Sequence, residues 1–167
     1  MITPPTLHVR PGALADRDAI WGILEPVIRA ADTYALPQDM SQAAGLGYWF
    51  DPSHEVFVAH DNGGAVVGTY YLRANQRGPG SHVANCGYVT AAAAQGRGVA
   101  AAMCAHSLAR ARERGFLAMQ FNCVVSTNDR AVRLWQRLGF EIVGRLPGAF
   151  AHPREGFVDA LVMFRRL

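Results

Sequence analysis

The chain has 167 residues, 50% apolar and 17% charged, a composition that forms one globular domain and excludes a disordered tail, a coiled coil or a collagen-like rod. No run approaches the ~20 apolar residues that span a bilayer, and Met1 to Arg10 carries two prolines and no apolar core of a secretory signal. The net charge of +3 is uneven: residues 1–96 hold five Arg against eight acids, residues 97–167 eleven Arg against five. That basic half suits a phosphorylated ligand. Without a basic cluster interleaved with aromatics, it does not suit a nucleic acid. Cys86, Cys104 and Cys123 are odd in number and lack CxxC spacing, which reads as buried thiols in a reducing cytoplasm and neither a disulfide framework nor a metal site.

In chain order, Leu7 to Arg10 predicts a first strand ending at Pro11. Ala15 to Ala30 predicts a helix, with Ile20, Ile23, Leu24, Val27 and Ile28 on one face and Pro26 expected to kink or divide it. Ser41 to Phe50 predicts a second helix ending in Tyr48-Trp49-Phe50. Glu55 to His60 and Ala65 to Ala74 read as hairpin strands about the turn Asp61-Asn62-Gly63-Gly64. His82 to Val89 is a fourth strand whose internal Gly87 predicts a bulge or a close approach.

Gly98 to Arg114 predicts a long helix stopped by Gly115, and Leu117 to Val125 a fifth strand. Ser126-Thr127-Asn128-Asp129 has the spacing of a capping box. Ala131, Leu134, Trp135 and Leu138 then mark an amphipathic helix ended by Gly139. Phe140 to Leu146 and Phe157 to Phe164 complete the strands, with a loop expected from Pro147 to Gly156. Strand–helix–strand across residues 82–125 requires a right-handed crossover and parallel pairing, whereas the hairpins are antiparallel. The expected fold class is therefore α/β (α+β): a mixed, mostly antiparallel central sheet with helices on both faces.

The stretch Gln95-Gly96-Arg97-Gly98-Val99-Ala100 joins the fourth strand to the long helix. Unpaired N–H groups and the helix dipole make such a start an anion site, and glycines let a phosphate approach the main chain. Gly96-x-Gly98-x-x-Ala101 meets a dinucleotide fingerprint formally, but no acid follows about 20 residues on, and no GK[ST] is present for a nucleoside triphosphate.

Gln-x-x-Gly-x-Ala at residues 95–100, followed by Asn128-x-x-Ala131-x-x-Leu134-Trp135-x-x-x-Gly139-Phe140, resembles the two hallmark motifs of the GNAT superfamily of acyl-CoA-dependent N-acyltransferases. The resemblance covers nearly the whole chain. It implies splayed fourth and fifth strands, pantetheine paired with the fourth strand near Tyr88 and Val89, and pyrophosphate on the amides of Gln95, Gly96, Arg97, Gly98, Val99 and Ala100. It further implies Asn128 bound to the cofactor, acetyl-CoA as co-substrate, and a homodimer.

Asn85, Asn122, Asn128, the Leu134-Trp135 pair and Gly144-Arg145-Leu146-Pro147-Gly148 together resemble the branch that acetylates azetidine-2-carboxylate and related proline analogues. That narrower likeness implies a small amino-acid-like acceptor, with Asn85 and Asn122 in its cleft and Asn85 orienting the nucleophile. Arg154, in the expected loop, is a candidate partner for the acceptor's carboxylate. Where much of the family has Tyr, this chain has Trp135, whose indole is no acid at neutral pH; it reads as core. No general base is identifiable. A protein-directed acetyltransferase and a non-catalytic acyl-CoA-binding module are the alternatives.

Overall fold

The structure, a computed structural model, describes residues 7–167. The reading of the first residues as lacking a leader falls largely on positions 1–6, outside the described residues. Seven strands form one sheet in the order β1-β2-β3-β4-β5-β7-β6. They are β1 (His8–Pro11), β2 (Glu55–His60), β3 (Val66–Ala74), β4 (Val83–Thr90), β5 (Ala118–Val125), β6 (Glu141–His152) and β7 (Gly156–Arg166). Every pairing is antiparallel except β4 with β5. The mixed, mostly antiparallel sheet expected from the sequence is the observed one.

Strand alternation divides the core into two layers. On one face Val56, Val58, Tyr71 and Val89 pack against α1 (Arg17–Ala30) and α2 (Gln42–Trp49). On the other, Phe57, Tyr70, Leu72, Cys86, Met119 and Phe121 pack against α3 (Val99–Glu113) and Trp135 of α4 (Asp129–Arg137). No helix among the described residues is long and apolar enough to cross a membrane.

Four local expectations are corrected. Pro26 does not divide α1, which runs unbroken to Ala30. The lost N–H bond is offset by burial of Ile20, Ile23, Leu24 and Ile28. The loop expected from Pro147 to Gly156 is mostly strand: β6 continues to His152, and residues 147–149 are absorbed as an irregularity between the pairs Leu146↔Ala160 and Phe150↔Val158. Asp159 makes this possible, accepting from Gly148 N–H at 2.9 Å and from Arg145 at 2.7 Å. The turn shrinks to residues 153–155, where the N–H groups of Arg154 and Glu155 donate to His152 Nδ1.

The cap of α4 is Asn128 and not Ser126, because the Asn128 side-chain oxygen accepts from Ala131 N–H at 3.2 Å. Finally, β4 does not bulge at Gly87, since its register with β3 is continuous. A Cβ there would lie 2.6 Å from Tyr71 Cε1 and 2.9 Å from the Tyr34 hydroxyl, so the missing side chain makes room for two tyrosines.

Candidate active site

β4 and β5 pair only through Val83↔Ala118 and Ala84↔Met119, then diverge. At the apex of this wedge Asn85 replaces the next ladder bond with its side chain, Nδ2 donating to Gln120 O at 2.9 Å. Its Oδ1 accepts from Arg73 Nε at 3.2 Å, and the residue is 5% exposed. One amide thus ties three strands together where main-chain pairing stops. β5 is itself irregular between Phe121 and Val124, placing Asn122 and Cys123 at an exposed bulge. Asn122 accepts from Gln120 Nε2 at 2.9 Å and donates to Asn75 Oδ1 at 2.7 Å.

The phase of the β3–β4 ladder determines which main-chain groups face the wedge. Asn75 N–H donates to Val83 O and Ala91 N–H to Val67 O, so odd-numbered residues of β4 bond β3. Cys86, Tyr88 and Thr90 therefore turn their N–H and C=O toward the opening. Val89 spends its main chain on β3 and contributes only a buried side chain. Tyr88 O already accepts a hydrogen bond, at 3.0 Å, from the Tyr34 hydroxyl.

The glycine loop follows. Gly96 and Gly98 have φ of 80° and 81°, left-handed values that only glycine adopts without strain. Gln95 N–H donates to Ala92 O and Arg97 N–H to Ala94 O, so those two amides turn away. The first intrahelical bond of this start is Ala102 N–H to Gly98 O, which leaves the four preceding N–H groups, of Gly98, Val99, Ala100 and Ala101, at the helix mouth.

A cleft of about 990 Å³ runs along this wedge, lined by Asn85, Tyr88, Val89, Gln95, Gly96, Gly98, Val99, Ala100, Asn122, Asn128 and Arg154. Of the site residues expected from the sequence, only Arg97 stays outside the lining; its side chain is exposed. Asn128 lines the cleft, and its side-chain oxygen is committed to the α4 cap. Arg154 stands 77% exposed at the hairpin turn, 3.9 Å from Asp32 across the mouth.

Trp135 is 9% exposed and packs against Tyr88 and Phe121 at centroid distances of 5.2 and 5.0 Å. Three tyrosines of the opposite face also line the cleft: Tyr34, on the loop after α1, and the pair Tyr48 and Tyr71, whose oxygens are 3.1 Å apart. His54 stacks on Tyr71 at 4.0 Å. Burial pushes the Tyr34 and Tyr71 phenols well above their ordinary range, keeping them neutral, and burial also lowers His54. Cys86 is held protonated by burial, and Cys123 is also raised by desolvation.

Tyr34, Tyr71 and Arg73 escaped the sequence reading. Period-2 alternation along residues 65–74, which sets Tyr71 and Arg73 on one face, was the available signal.

Comparison with known proteins agrees with this architecture. The chain is 41% identical to a GCN5-related N-acetyltransferase from Kribbella flavida, over 96% of this chain and 98% of that one, with a TM-score of 0.92. A phosphinothricin acetyltransferase from Sinorhizobium meliloti, solved with acetyl-CoA, shares the fold at 22% identity and a TM-score of 0.83, over 99% and 89% of the two chains. The curated N-acetyltransferase aca1 of Schizosaccharomyces pombe is 32% identical over 104 residues, which are 59% of this chain; the match spans about half of that relative, 47%. Residues 21–140 match the Acetyltransferase (GNAT) family, in line with the wedge, the glycine loop and the capped helix behind it, and the chain belongs to that family.

Proposed function

We propose that the protein is an N-acetyltransferase that moves the acetyl group of acetyl-CoA to the nitrogen of a small amino-acid-like acceptor, with azetidine-2-carboxylate and other proline analogues as the candidate class. The observation that carries this reading is the lining of the acceptor side. The wedge is flanked by the loop Asp32 to Leu36, by Tyr48 and Tyr71, and by the hairpin turn, with Arg154 facing Asp32 across the entrance. Polar and aromatic groups converging on one cleft suit a small molecule.

The cofactor's anionic end fits the main-chain donors of Gly98, Val99 and Ala100, with Arg130 beside Gln95 at 3.5 Å. The pantetheine amides fit the free main-chain groups of β4 around Tyr88. The acceptor nitrogen attacks the thioester carbon, the C–N bond forms as C–S breaks, CoA leaves as the thiolate, and the nitrogen's proton passes to water in the cleft. Asn85 retains one N–H and one lone pair beyond its two bonds, and its role is to orient the nucleophile. Cysteines with raised pKa and no activating histidine support direct attack in a ternary complex over an acyl-cysteine.

Thiol release from acetyl-CoA, measured with free amino acids, proline analogues and peptides, tests the reading. Turnover on azetidine-2-carboxylate supports it. Turnover on peptides alone replaces it with a protein-directed enzyme, and binding without turnover replaces it with a binding module.

A further inference from the structure

Four arginines line the cleft, and they differ in what they already hold. Arg130 and Arg137 belong to α4, and Arg130 donates to Gln95 Oε1 at 3.5 Å. Arg154 is exposed and faces Asp32. Arg73 lies on β3, half-buried on the acceptor face, and its Nε donates to Asn85 Oδ1 at 3.2 Å. Among the described residues it forms no ion pair, and its terminal nitrogens donate no hydrogen bond. Asp51, near enough to feel its field, spends one carboxylate oxygen on Ser53 N–H at 2.8 Å and Ser53 Oγ at 2.6 Å. His54 and Tyr71, the other titratable groups that feel Arg73, are held neutral by burial. The result is a half-buried guanidinium in the cleft lining, held at Nε and without an ion pair among the described residues.

We infer that Arg73 is the carboxylate-recognition residue of the acceptor site, taking the α-carboxylate of an amino-acid substrate in a bidentate pair. This rests on the small-acceptor reading above and narrows it to α-amino acids. A guanidinium fork matches a carboxylate geometrically, and fixing Nε on Asn85 removes much of the entropy cost of that pairing.

The test compares kcat/KM for azetidine-2-carboxylate and for its primary amide in wild type, Arg73→Lys and Arg73→Met, with the KM for acetyl-CoA measured alongside. Comparing variants cancels the difference in amine basicity between the two substrates. The acid-over-amide ratio is expected to fall about 10²-fold in Arg73→Met and less in Arg73→Lys, with the acetyl-CoA KM unchanged. A merely structural role would lower both substrates together. An unchanged ratio in Arg73→Met overturns the assignment and leaves the small-acceptor reading intact. Absence of turnover on every free amine removes both. Should Arg73→Met fail to fold, the change in the ratio between wild type and Arg73→Lys decides.

Discussion

Replacing Asn85 by alanine removes the one side chain that bridges β3, β4 and β5 at the apex of the wedge. Two hydrogen bonds are lost: a neutral one to Gln120 O at 2.9 Å and a charge-assisted one from Arg73 at 3.2 Å. A neutral bond contributes about 1 kcal/mol and one to a charged group about 1.5–3. Water partly re-satisfies the half-buried Gln120, so the expected loss is about 2–3 kcal/mol. For a chain of this length that lowers Tm by about 5–10 °C. Calorimetric or circular-dichroism melts measure the stability term, and initial-rate kinetics measure the catalytic one. On the best small acceptor kcat should fall about 10²-fold, because the near-attack geometry is lost. Affinity for acetyl-CoA should hold, since the glycine loop lies elsewhere. Asn85→Asp keeps the Arg73 partner but sets an oxygen against the Gln120 carbonyl, so it should not restore the wild-type rate. An unchanged Tm in Asn85→Ala would refute the bridging role, and a lowered Tm with normal kcat would refute the orienting role while leaving the bridge.

Gly87→Ala places a Cβ 2.6 Å from Tyr71 and 2.9 Å from the Tyr34 hydroxyl, and should destabilise by about 1–3 kcal/mol in denaturant melts; a neutral substitution would show that the tyrosines are not packed there. Trp135→Phe should keep turnover within a few-fold and lose about 1–2 kcal/mol of stability, because the indole fills space between Tyr88 and Phe121; a collapse of kcat at normal stability would place it in the chemistry. The Arg10 guanidinium, bonded at 2.8 Å, holds the buried Asp16 carboxyl down at about 2, below the ordinary 3.8. Its stabilisation is therefore complete above pH ~4 and lost as pH falls through ~2. Asp16→Asn should be about 1–2 kcal/mol less stable than wild type at pH 7, with the gap closing between pH 4 and 2 in urea melts.

What the chain determined by local rules was legible in advance. Apolar periodicity placed the helices and strands, and the 82–125 crossover required the parallel pair that β4 and β5 form. The glycines at 96 and 98 marked a loop whose φ values only glycine meets readily. These are short-range effects, each dictated by a few neighbouring residues. Position in the cleft was not legible in that way. Tyr34 reaches Tyr88 across 54 positions of sequence, and Arg73 meets Asn85 only because β3 and β4 pair in one particular register. The hairpin beyond Leu146 carries Pro147 and Gly148, which locally argue for a loop, yet the Asp159 carboxylate on the facing strand satisfies the freed N–H and lets β6 continue. Side-chain partners of this kind come from the packing of distant strands. Local propensity therefore described the frame of the wedge, and only the tertiary structure decided which groups were left free within it.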